Sequence, residues 1–75
     1  MSFGNKPQFE LLQLLNAGAG FTFNASQKPQ FELLQLVNAA KASGARLTLT
    51  GLAHKPQFEL LQLANAGKGI VVLED

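Results

Sequence analysis

His54 is the chain's one histidine, and so its one candidate for an imidazole general base. No Ser, Cys or Asp stands in a recognisable constellation with it, so no nucleophile–base pair is formed. It reads instead as a solvent-exposed residue at a helix start. Asp75 is the only aspartate and comes last in the sequence. Glu10, Glu32 and Glu59 recur at one place and resemble a carboxylate set for acid–base work. Each follows a lysine by four residues (Lys6, Lys28, Lys55), so solvated ion pairs along a helix account for them, at about 0.2–0.5 kcal/mol each. The glycine-rich pieces AGAG and AGKG fall at helix ends, whereas phosphate-binding loops precede helix starts. Asn16, Asn38 and Asn65 also recur, and a structural ladder at the helix C-termini is the expectation for them. No catalytic, cofactor-binding or metal-ligating residue is assigned.

These residues recur because the chain itself does. KPQFELLQL occurs three times, beginning at Lys6, Lys28 and Lys55, so successive copies start 22 and 27 residues apart. Such spacings lie in the range of solenoid repeats. Each copy continues with one variable residue (Leu15, Val37, Ala64) and then Asn-Ala, so eleven of twelve positions are identical. Packing can hold core positions constant, but surface positions drift because substitution there costs little. Here Lys, Gln and Glu recur as faithfully as Phe and Leu. That pattern points to an engineered or consensus-built sequence, with very recent duplication as the alternative.

Each copy reads as a helix, over about 6–17, 28–42 and 55–66. Pro7, Pro29 and Pro56 suit a first turn, where the missing N–H has no intrahelical partner. Asn5 with Gln8 reads as a capping box, and Gln27 and His54 hold the equivalent place in the other copies. Gly18 and Gly67 are expected as left-handed stops, while the middle helix runs on towards Gly44. At 100° per residue, Phe9, Leu11, Leu12, Leu14 and Leu15 cover an arc of roughly 220°, which suits a helix lying on a sheet between sister helices.

Between the helices, 21–26 and 46–50 alternate apolar and polar residues, and 70–74 opens with the apolar run Ile70, Val71, Val72, Leu73. Residues 2–4 form a possible first strand. The expected fold is α/β, with three βα-type repeats, a four-stranded parallel sheet and helices on one face, in a solenoid-like two-layer arrangement. Phe21, Phe23, Leu47 and Leu49 would face the helices, and Thr22, Asn24, Thr48 and Thr50 would face water. A polar sheet face excludes a doubly wound sheet, whose strands are apolar on both sides. A helical hairpin array with loops in place of strands is the alternative.

Seventy-five residues make one small domain, which buries only about 60% of its unfolded surface. There is no cysteine to staple it. Oligomerisation is then the common route to further burial. Six basic against five acidic residues leave no basic patch for nucleic acid. The apolar runs fall far short of the ~20 residues that span a bilayer. The opening MSFGNKPQFE lacks a signal-peptide core, so a soluble, cytoplasmic protein is expected.

The stretch Leu47-Thr48-Leu49-Thr50-Gly51-Leu52, followed by a helix, resembles a leucine-rich repeat. That resemblance implies strand–helix stacking with all helices on the convex side, and a role in protein binding. The family carries Asn or Cys where Leu52 stands, and Ser26 holds that place in the first copy, so its asparagine ladder is not implied here.

The functional expectation is a non-catalytic repeat scaffold that self-associates, most simply as a two-fold homodimer, through Ile70, Val71, Val72 and Leu73. Aligned by repeat, Val71 and Leu73 would take the outward places of Thr22 and Asn24, making the last strand apolar on both faces. Its edge would also be uncharged until Glu74, unlike protected edge strands. Head-to-tail stacking is the rival assembly. The alternative function is a natural interaction module that binds a partner on the polar sheet face. No cofactor, nucleic acid, membrane or small-molecule substrate is called for.

Overall fold

A computed structural model of the chain describes residues 7–26 and 28–74. Three helices, α1 (Gln8–Asn16), α2 (Gln30–Ser43) and α3 (Gln57–Ala66), alternate with three strands, β1 (Phe21–Asn24), β2 (Leu47–Thr50) and β3 (Val71–Leu73). The strands form one parallel sheet in the order β1-β2-β3. The expected first strand at 2–4 lies outside the described residues, as do Asn5 and Gln27.

Helix starts follow the prolines, with one change from expectation. Pro7, Pro29 and Pro56 are themselves the N-caps, extended at ψ near 155–160°, and none makes a side-chain cap bond. Proline's fixed φ delivers the chain into the first turn, and Glu10, Glu32 and Glu59 there complement the positive end of each helix. His54 is therefore not a cap. Of the three expected ion pairs, Lys28–Glu32 (3.3 Å) and Lys55–Glu59 (3.2 Å) form, and Lys6 of the first copy's pair lies outside the described residues.

One core lies between the layers. Leu11, Leu15, Leu33, Leu36, Val37 and Leu63 from the helices meet Phe23, Leu47 and Leu49 from the strands, all at 0–1% exposure. On the other sheet face Thr22 and Asn24 are exposed and Thr48 and Thr50 half-buried. The period-two pattern of the first two strands thus decides which face is covered.

Two faces differ from the sequence reading. Phe9, Phe31 and Phe58 are not in the core; they stand 61%, 63% and 62% exposed in the first turn of their helices. The apolar arc is wider than the sheet and the neighbouring helices can cover, and phenylalanine lies at its uncovered margin. The second difference is in β3. Val71 pairs with Leu47, Val72 with Thr48 and Leu73 with Leu49. Val71 and Leu73 therefore face the helices, half-buried, and Val72 alone faces outward. The cause is the turn before β3. In the first copy the left-handed glycine is Gly18, two residues past Asn16. In the third it is Gly69, four residues past Asn65, while Gly67 has an ordinary negative φ. β1 begins five residues past its asparagine and β3 six past its own. One extra residue in a turn exchanges the two faces of the strand that follows.

Candidate functional site

The expected site residues lie at the C-terminal end of the repeat stack. Ile70 precedes β3 and packs against the core, and Val71 to Leu73 form the strand. Leu47 N–H donates to the Ile70 carbonyl (2.9 Å) and Glu74 N–H to the Leu49 carbonyl (2.8 Å). Even-numbered residues thus turn their main-chain groups toward β2, and Val71 and Leu73 turn theirs away. Val71 N–H is taken by the Gly67 carbonyl (3.1 Å). Among the described residues, this edge is left with the Val71 carbonyl and the N–H and carbonyl of Leu73. Val72, at 38% exposure, is the outward apolar side chain beside it. The line is real but short.

The helices add a larger feature that sequence reasoning missed. Gln8 Nε2 on α1 donates to the Glu32 carbonyl (3.0 Å) and to Gln35 Oε1 (3.2 Å) on α2. Gln30 Nε2 on α2 repeats both bonds to α3, at the Glu59 carbonyl (3.1 Å) and Gln62 Oε1 (3.1 Å). One glutamine in each of the first two repeats therefore grips the next helix with two bonds. The signal was present in the sequence as the invariance of both glutamines. Gln8 Oε1 and Gln30 Oε1 are buried with no hydrogen-bond partner, so each amide is held by its donor side. Replacing Gln30 by Glu would set a carboxylate against two acceptors. It is expected to cost about 1–3 kcal/mol, measured by urea unfolding at pH 7.

The third copy of this device is open. Gln57, the equivalent of Gln8 and Gln30, is exposed. Leu61, one turn further on, is 51% exposed, whereas its equivalents Leu12 and Leu34 are half-buried. The helix C-termini are tied differently: Ser43 Oγ donates to the Leu15 carbonyl and Lys41 Nζ to the Lys68 carbonyl (2.8 Å). The asparagines expected to form a ladder there, Asn16, Asn38 and Asn65, are exposed and make no side-chain bond to one another.

His54 lines a cleft of about 250 Å³ at the C-terminal ends of β1 and β2, with Ser26, Lys28, Lys55 and Glu59. The two lysines are engaged by their glutamates, and Lys28 also lies 5.8 Å from the Phe23 ring centre. Ser26 Oγ donates to Asn24 Oδ1 (2.7 Å). The cleft thus brings a serine near the histidine, but the serine's proton points to an asparagine. Among the described residues no group of His, Cys, Asp or Glu is arranged to hold a metal ion. Among the described residues no helix is long and apolar enough to cross a membrane. Comparison with protein-family models, curated proteins and solved structures finds no match to this chain.

Proposed function

We propose that the chain is a non-catalytic repeat scaffold that self-associates through its C-terminal repeat. The observation that carries this reading is a contrast within one sequence motif. Positions that the first two repeats bury are uncovered in the third: Leu33 and Val37 are at 0% exposure, while their equivalents Leu60 and Ala64 are half-buried. Leu47 and Leu49 are likewise at 0%, while Val71 and Leu73 beside them are half-buried. A repeat stack buries each unit against its neighbours, and a unit whose equivalent positions are half-exposed carries the missing burial as a driving force. The edge of β3, from Ile70 to Leu73, is the line along which a second copy pairs.

Light scattering with refractive-index detection tests the reading, since the chain has no Trp or Tyr. The wild type is expected to exceed monomer mass at high micromolar concentration. Val72→Lys places a charge beside the edge without entering the core. It is expected to weaken association at least tenfold, with an unchanged circular dichroism spectrum. A wild type that stays monomeric throughout that range would overturn the proposal.

A further inference from the structure

Resting on that self-association, we infer that the partner is docked in one direction, with α3 of one copy receiving α1 of the next as a further parallel helix. The argument is the glutamine grip. It runs from α1 to α2 and again from α2 to α3, each time from a first-turn amide to a carbonyl and a glutamine oxygen on the next helix. Such a bond is directional: the donor lies on the earlier helix and the acceptors on the later one. α3 carries the donor, Gln57, exposed beside the exposed Leu61. The surface that fits it is another QFELLQ helix, because the acceptors lie within that segment. In α1 the equivalent positions are the Glu10 carbonyl and Gln13, which is exposed.

Burial at the other end of the stack has the complementary pattern. Leu36 and Leu63 are at 0% exposure, and each follows a preceding helix. Leu14, their equivalent on α1, is half-buried. Among the described residues no helix follows at Leu61 and none precedes at Leu14, and a second copy would supply each. A two-fold contact would set α3 against an antiparallel α3, where Gln57 faces the partner's C-terminal turns instead of the first-turn carbonyl and glutamine that the grip uses within the chain. The grip therefore favours heterologous stacking over the two-fold pairing that the strand edge alone suggested.

The test uses one variant at each end, Leu61→Lys and Leu14→Lys, with Gln13→Lys as a second, exposed variant should Leu14→Lys fail to fold. In directional docking each variant alone is expected to be monomeric. Their equimolar mixture is expected to form a 1:1 dimer, because the intact α3 of one chain meets the intact α1 of the other. Sedimentation velocity reads all three samples. If Leu61→Lys is monomeric and both α1 variants associate like the wild type, the contact is two-fold. The inference then falls, while self-association through the C-terminal repeat stands. If the wild type itself does not associate, both fall.

Discussion

Phe23→Ala is expected to lower the unfolding free energy by about 3–5 kcal/mol. Phe23 is the largest side chain among those almost wholly withdrawn from solvent, at 1% exposure. It projects from β1 into the layer shared by all three helices, so its removal leaves a cavity that a short strand cannot collapse to fill. A chain of this length is expected to have a total stability of about 4–11 kcal/mol, so the loss is a large share of it and at the low end of that range unfolds the variant at room temperature. Phe31→Ala is the internal control. Its ring is 63% exposed, and the loss is expected to be under about 1 kcal/mol. Urea titrations followed by circular dichroism, at a protein concentration low enough to suppress association, compare the two. Equal losses would mean that the exposed phenylalanine row is buried in solution and that the core assignment is wrong.

Gly20→Ala is expected to cost about 1–3 kcal/mol, as overpacking does. A Cβ at Gly20 would lie 2.5 Å from the Arg46 carbonyl oxygen and 3.3 Å from its nitrogen. Both are main-chain atoms in the entry to β2, so no side chain can swing aside. The strain falls where Phe21 N–H donates to the Arg46 carbonyl (3.2 Å), the bond that opens the β1–β2 ladder. Hydrogen exchange at Phe21 is therefore expected to quicken along with the loss of stability. Gly18→Ala has open space at its Cβ but a φ of +91°, and should show only the left-handed penalty of about 1–2 kcal/mol. If Gly20→Ala is neutral in both measurements, β1 does not approach β2 as closely as described.

The residues announce part of this fold. Helix and strand positions follow from periodicity, because KPQFELLQL and LTLT each leave one face that must be covered. The Lys–Glu pairs follow from spacing alone. The faces of β3 do not follow, because Ile70-Val71-Val72-Leu73 is apolar throughout and cannot show its register. A glycine two residues further along decides it. Phe9, Phe31 and Phe58 were misplaced for a related reason: a wide apolar arc shows which residues may be buried, but its covered part depends on how many neighbours arrive. The glutamine grip is not legible in the sequence, since one invariant polar position looks like any other until the next helix is set beside it.

The pairing of one strand with one helix per repeat has a geometric consequence. Neighbouring strands lie about 4.8 Å apart and packed helices about 8–10 Å apart, in layers separated by roughly 10 Å, so each repeat must turn by roughly 20–30° relative to the last. The sheet takes the inner radius and the helices the outer. Three repeats then sweep roughly 75°, and copies joined in one direction would return to their start after about five chains. If strand twist adds no rise from chain to chain, copies joined in this way would close into a hoop with Thr22, Asn24, Thr48 and Thr50 on its inner wall and the exposed phenylalanines around its rim.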